Sequence, residues 1–175
     1  MSSSHTSIHV TALDALVHVN SLFTFALFLG LSWNPWDPKN TLNKDSRCAP
    51  GPAVKRDLVS FQVYSFGSYL FSSLVALALK QAIRNGRALS HHRHHVHLIA
   101  QINRDVLRFG MLLSAVGSVA GSTLLMLALI NAVQIKLGTL ACGSTHSLAA
   151  AVPLMMFVPT GLLVYVCIIV YAFTR

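Results

Sequence analysis

Four apolar segments of about 20 residues each determine what this chain can fold into. They cover approximately residues 12–33, 57–79, 109–133 and 148–173, and a basic, histidine-rich loop at 80–108 separates the second from the third. In a bilayer, only helices and closed barrels satisfy all their backbone hydrogen bonds, and segments of this length are typical of helices. The sequence therefore predicts a single domain, 1–175, that is an all-α integral membrane four-helix bundle.

The composition indicates which partners to expect. Hydrophobic residues make up 54% of the chain and charged residues only 10%, whereas soluble domains carry roughly 25% charged residues. The net charge of +8 would suggest nucleic acid in a soluble chain. Here the basic residues flank membrane spans, where anionic lipids explain them more simply. We therefore expect contact with the lipid bilayer, anionic lipid headgroups at 80–108, and no nucleic acid.

The third segment carries small residues at helical spacing along one face. They are Gly110, Ser114, Gly117, Ser118, Gly121 and Ser122. Lipid tails are as apolar as the helices, so close backbone approach over small residues holds membrane helices together. The second segment has a matching small face, formed by Ser65, Ser68, Ser72 and Ala76. We expect the third helix to be the centre on which the others pack.

Polar residues in the first segment are candidates for a polar path through the membrane. Asp14 and His18 lie one helical turn apart, and Asn20 lies deeper in the segment. The alternative is that Asp14 forms a capping box with Thr11 at the helix start. Asp57 and Asp105 precede the second and third segments, so the same helix-punctuating role is open for them.

The histidine-rich run, HHRHHVH, is a candidate metal site. His91 and His95 lie one helical turn apart, as do His94 and His97, and neutral imidazoles at this spacing can hold Zn²⁺ or Cu²⁺. Arg93 interrupts the run, and no nearby acidic residue is available to orient the rings. The alternative is a solvated basic loop that touches anionic lipid, and we expect no cofactor.

The three cysteines bear on orientation. Cys48 and Cys142 lie in the first and third loops, which any four-span topology places on one face of the membrane. A disulfide could join them if that face is oxidising, and the alternative is two free thiols. Cys167 is expected to be a buried packing residue. The count of basic residues on the two faces is nearly equal, so the positive-inside rule decides little. Because of the possible disulfide, we favour termini in the cytosol, in a plasma membrane or endomembrane.

The sequence contains no nucleophile elbow, phosphate-binding loop, HExxH or haem motif, and no glutamate. We therefore expect a non-enzymatic multi-pass membrane protein. Its predicted role is that of a structural, assembly or accessory subunit, which packs against a membrane-protein partner or a second copy. The alternative is a small transporter or channel component, with a polar path at Asp14, His18 and Asn20 and a metal- or pH-responsive histidine loop.

Two stretches resemble a family of plant membrane proteins. They are IHVTALDALVHVNSLFTFALFLGLSWNP, at residues 8–35, and VSFQVYSFGSYLFSSLVALALKQAI, at residues 59–83. The chain is similar here to the four-span family labelled maternal effect embryo arrest protein, and the resemblance would extend over most of its length. That label implies a need during plant embryo development. It implies no chemistry and no site residues.

Overall fold

Four long α-helices form the part of the chain that the computed structural model describes, residues 2–32, 49–89, 96–142 and 145–174. The helices are α1 (Ser2–Ser32), α2 (Pro52–Leu89), α3 (Val96–Leu137) and α4 (Thr145–Thr174), and a short 3-10 turn at Leu140–Cys142 precedes α4. These ranges contain no β-strand. The prediction of an all-α fold with four long helices is confirmed.

Each helix contains a segment that is long and apolar enough to cross a membrane. The segments are Leu13–Ser32, Pro52–Arg84, Val106–Leu137 and Thr145–Ile168. Large apolar side chains are exposed on all four helices, among them Phe25, Leu74, Phe109 and Phe157. So much exposed apolar surface is unusual for a soluble monomer, but it suits contact with acyl chains. The chain is an integral membrane protein.

The helices begin earlier than predicted, and aspartates do not mark their starts. α1 begins at Ser2, so Thr11 and Asp14 lie inside the helix, and the capping-box interpretation is wrong. α2 and α3 likewise begin well before Asp57 and Asp105, and none of the four first turns contains an acidic residue. α2 begins instead with Pro52, whose fixed φ suits the first helical position and whose missing N–H is not needed there.

α2 continues ten residues beyond the predicted end of its span at residue 79, to Leu89. The extension, KQAIRNGRAL, consists mainly of Lys, Gln, Ala, Arg and Leu, which favour helix. α3 begins at Val96, two residues before Leu98, from which the spacing of apolar residues predicts a helical lead-in to the third span. Residues 80–89, which were predicted as part of a loop, are helical as well. The intervening residues 90–95 lie outside the described part of the chain.

The chain divides into two compact units. Unit 1 comprises Met1–Phe25 and Ser68–Ser118, and thus segments of α1, α2 and α3. Its apolar core contains Leu13 from α1, Ala76, Leu79 and Ile83 from α2, and partly buried Leu107 and Met111 from α3. Phe23 also stacks on Tyr69, with ring centroids 5.4 Å apart. All three helical segments therefore contribute to one core in this unit.

Unit 2 comprises Ala26–Gly67 and Val119–Arg175. One buried apolar cluster in this unit is formed by Leu58 from α2 and Ala128 and Ile135 from α3. Gly138 directly follows α3, and its φ of 99° is the left-handed conformation that glycine adopts without a Cβ penalty. Its N–H donates to the Gln134 carbonyl at 3.0 Å, which satisfies an otherwise unpaired carbonyl at the helix end.

The four spans differ in how much of each is buried. One third of the α3 span is buried (33%), compared with 22% for α2, 11% for α1 and 6% for α4. α3 therefore makes the most internal contacts for its length, as expected for the helix that carries the small-residue face. α4 leaves the most apolar surface available to its surroundings.

Candidate functional site

Four buried polar side chains from three helices meet in unit 1. Asn20 lies on α1, Ser72 on α2, and Ser114 and Ser118 lie one turn apart on α3. Their exposed fractions are 3%, 0%, 0% and 8% respectively. Polar groups placed inside a membrane protein need partners within the protein, because acyl chains offer none. We call these four residues the polar cluster.

Hydrogen bonds join Asn20 to both of the other helices. The Asn20 Nδ2 donates to Ser72 Oγ at 2.9 Å, and Ser118 Oγ donates to Asn20 Oδ1 at 3.1 Å. The Ser72 and Ser118 hydroxyl oxygens lie 2.8 Å apart. Each hydroxyl has one hydrogen to donate: Ser118 gives its hydrogen to Asn20, and Ser72 gives its own to the Ser114 carbonyl, so these two oxygens are close polar neighbours without a third donated hydrogen between them. One asparagine thus links α1 to α2 and α3.

A second set of contacts joins Ser72 directly to Ser114. The Ser114 hydroxyl donates to the Ser72 carbonyl at 2.9 Å, while the Ser72 hydroxyl lies 2.7 Å from the Ser114 carbonyl. Backbones approach this closely only where side chains are small. A Cβ on Gly117 would lie 3.1 Å from Ser72 Cβ and 3.3 Å from the Ser68 carbonyl oxygen. Gly117 is therefore part of what brings the serines within reach.

The other predicted packing residues of α3 lie on the same small face. In unit 1, a Cβ on Gly110 would lie 2.6 Å from Leu79 Cδ2. In unit 2, Ser65 Oγ donates to the Gly121 carbonyl at 2.7 Å, and Ser122 is partly buried. In each unit, small residues of α3 contact α2 within the chain. This face is consequently occupied internally and is not left as a free surface.

The polar cluster is suited to holding helices together. It contains one amide and three hydroxyl groups, none of which titrates near neutral pH. A serine nucleophile needs an adjacent base to activate it, and none of the four residues can act as one. Each group instead donates a hydrogen bond to another helix or accepts one from it. The arrangement therefore fixes how α1, α2 and α3 face one another within unit 1.

The three residues of the predicted polar path have different surroundings. Asn20 belongs to the polar cluster, and Asp14 pairs with Lys80, whose Nζ contacts the Asp14 Oδ1. His18 is exposed on the surface of α1. Ionisable residues in membrane spans commonly pair with one another, because an isolated charge is costly in lipid. The Asp14–Lys80 pair therefore links α1 to α2 near the ends of their spans.

The predicted metal site falls largely outside the described residues. His91, His94 and His95 belong to residues 90–95, which the structure does not describe, and His97 is in the first turn of α3. Within the ranges that the structure describes, no group of three or more His, Cys, Asp or Glu residues could hold a metal ion. Metal binding by the histidine run stays a prediction.

The cysteines differ in state. Cys142, at the end of the 3-10 turn, is disulfide-bonded, whereas Cys167 is a free thiol. Cys167 is exposed on α4, so the prediction that it is a buried packing residue is wrong. Cys48, the predicted partner of Cys142, lies outside the described residues, and their pairing stays a prediction.

Two features of the site were missed at the sequence level. Ser72 was assigned only to a small packing face, although it is the residue through which the whole polar cluster is connected. Lys80 was considered only as one of the basic residues of 80–108, for which contact with anionic headgroups was expected, and its pairing with Asp14 was not predicted. The available signal was Asn20: a buried asparagine needs two partners, and hydroxyl groups on neighbouring helices are suitable ones.

Comparison with known proteins identifies no relative of this chain. No protein-family model, no curated protein and no solved structure matches this chain. The resemblance to the maternal effect embryo arrest family accordingly stays a prediction.

Proposed function

We propose that this chain is a non-enzymatic multi-pass membrane protein that serves as a structural, assembly or accessory subunit. The observation that carries the proposal is the pairing of polar groups in α1. Asn20 bonds within the polar cluster and Asp14 pairs with Lys80. A transporter or channel needs polar groups that a solute or ion can reach, whereas these groups are already bonded to other residues of the chain.

The surface of α4 supports a role in lateral association. Only 6% of its span is buried, and Met156, Phe157 and Leu163 are exposed by 66%, 77% and 64%. A helix of a partner subunit can cover such a surface as readily as acyl chains can, because both are apolar. Since α2 occupies the small-residue face of α3, a partner would have to use another surface, and α4 offers one.

The orientation that we propose places the α3–α4 connection on the non-cytosolic side of a plasma membrane or endomembrane. The disulfide at Cys142 supports this orientation, since disulfides persist mainly in oxidising compartments. With four spans, the residues before α1 and after α4 would then face the cytosol. The resemblance to the plant family would further place this role in embryo development, which complementation of a plant lacking the gene would test.

Purification in mild detergent tests the proposed role. We expect a complex of defined stoichiometry, with a protein mass above the 19.0 kDa of the chain, when light scattering is combined with identification of the co-purified subunits. Phe157→Ala should weaken the complex. Phe25→Ala is the matched control, because it removes a similarly exposed phenyl ring from α1 (63% exposed).

The transporter alternative predicts a different set of results. A monomer or homo-oligomer that carries a solute or ion across liposomes, with flux abolished by Asn20→Leu, would contradict the proposal. A hetero-complex without such flux would support it, and the identity of the partner would define the process that the subunit serves.

A further inference from the structure

Two arginines emerge at one end of the helix pair in unit 1. Arg84 on α2 directly follows Ile83, and Arg108 on α3 directly follows Leu107. Ile83 and Leu107 pack in the same apolar core. Because α2 and α3 run antiparallel and Leu79 faces Gly110, the two arginines lie within about one helical turn of each other along the helix pair, one on each helix, close to where both spans end.

Neither arginine is neutralised by a residue that the structure describes. Both are exposed, and neither has an acidic partner among the described residues. Lys80 lies one turn before Arg84 and differs from it, since Asp14 pairs with that lysine. This end of unit 1 thus presents two guanidinium groups whose charge remains available to a ligand.

The surroundings of Arg108 indicate a lipid ligand. Leu112 lies one helical turn after Arg108 on the same side of α3 and is 40% exposed, and the next residue after Arg108, Phe109, is 67% exposed. These apolar side chains belong to a span that contacts acyl chains. An arginine at the end of such a surface lays its methylene stem along the apolar groups and extends its charge to the headgroup layer.

We propose that Arg84 and Arg108 together bind the phosphate of an anionic phospholipid headgroup, with an acyl chain lying along Phe109 and Leu112. Guanidinium groups stay charged at any physiological pH and form paired hydrogen bonds with phosphate oxygens. The adjoining apolar residues favour a phosphate that is attached to acyl chains. The anionic-lipid contact expected for 80–108 is thereby assigned to two helical arginines, independently of the proposed subunit role.

Native mass spectrometry of the detergent-purified chain tests this assignment. The protein is titrated with phosphatidylglycerol and, separately, with phosphatidylcholine, and the dissociation constant of the first bound lipid is measured. We expect phosphatidylglycerol to bind more tightly. Arg84→Gln and Arg108→Gln should each weaken it about fivefold, and the double variant about 30-fold, while phosphatidylcholine binding changes little.

Arg56→Gln is the matched control. Arg56 is also an exposed arginine of α2, but it lies in unit 2. It should leave phosphatidylglycerol binding unchanged, and helicity measured by circular dichroism should be equal in all variants. An equal loss in Arg56→Gln would show that net charge alone attracts the lipid, which overturns the assignment.

A competition experiment distinguishes a lipid site from a site for soluble phosphate. Glycerol 1-phosphate carries the same phosphate chemistry without acyl chains. We expect millimolar glycerol 1-phosphate to leave the bound phosphatidylglycerol in place. Displacement of the lipid, or unchanged binding in the double variant, would overturn the proposal.

Discussion

Ser72→Ala should destabilise the chain more than Asn20→Leu, although asparagine is the larger and more polar residue. In Asn20→Leu, the Ser72 and Ser118 hydroxyls remain 2.8 Å apart and can bond to each other. In Ser72→Ala, the buried Asn20 Nδ2 loses the hydroxyl to which it donates. An unpaired buried donor costs more than the loss of a complete hydrogen-bonded pair, since its desolvation is no longer offset.

The expected magnitudes follow from this asymmetry. Ser72→Ala should lower the free energy of unfolding by about 1–3 kcal/mol, the usual range for a donor left unpaired. Asn20→Leu retains the volume of the side chain and should cost less than about 1 kcal/mol. In the double variant the Asn20 amide is absent, so the cost of leaving its Nδ2 unpaired disappears and the two costs should not add. The coupling energy should be about 1 kcal/mol, within the range measured for hydrogen bonds between membrane helices.

Reversible unfolding in mixed detergent, followed by circular dichroism, measures the four free energies of this cycle. Ser21→Ala is the matched control. Ser21 is exposed and adjacent to Asn20, and its hydroxyl donates only within α1, to the Val17 carbonyl at 2.7 Å. Its loss should change stability by no more than about 0.5 kcal/mol.

Two results would refute the reasoning. The first is a coupling energy below about 0.3 kcal/mol, which is at the level expected for independent sites. The second is a larger loss of unfolding free energy in Asn20→Leu than in Ser72→Ala, because the unpaired Asn20 Nδ2 would then not be the dominant cost. Either result would mean that the polar cluster contributes little to holding α1 against α2.

Two further perturbations examine the packing of α3 and the disulfide. Gly117→Ala should destabilise the chain by about 1–3 kcal/mol, offset in part by helix propensity, because the new methyl group would lie 3.1 Å from the nearest Cβ. A Cβ on Gly67 would have no neighbour within 4 Å, so Gly67→Ala should instead stabilise the chain by up to about 1 kcal/mol through its higher helix propensity. Equal shifts in the thermal unfolding temperature for the two variants would contradict this. Cys142→Ser and Cys48→Ser should each abolish the mobility difference between reduced and non-reduced protein on a denaturing gel. Cys167→Ser should not, and a difference retained in Cys48→Ser would exclude the predicted pair.

The helices were predictable because the physical requirement is simple. A run of about 20 apolar residues has few alternatives to a membrane helix. The contact between α2 and α3 was also visible, since Ser65 and Ser72 on one helix and Gly117 and Gly121 on the other share a helical spacing. Small side chains on both helices allow the two backbones to approach closely.

Helix starts and polar partners were harder to predict. Polar residues at the start of α1 do not oppose helix formation, so the helix extends over them to Ser2. The pairing of Asp14 with Lys80 joins residues that are 66 positions apart. Such a pair depends on how far α1 and α2 are shifted relative to each other along the membrane normal. The pattern of apolar residues in the sequence does not determine this shift. For the same reason Asn20 was assigned to a polar path and not to Ser72 and Ser118.

The attachment of α1 shows why polar contacts carry particular weight in this chain. Only 11% of the α1 span is buried, so α1 gains less from close packing than α3 does. Lipid would accept almost any face of an apolar helix, and apolar contacts therefore select its rotation only weakly. Asn20 and Asp14 do select it, because only one rotation brings both to their partners Ser72 and Lys80 within unit 1. Insertion of α1 thus depends on its apolar residues, whereas the face that it turns towards α2 depends on its two paired polar residues.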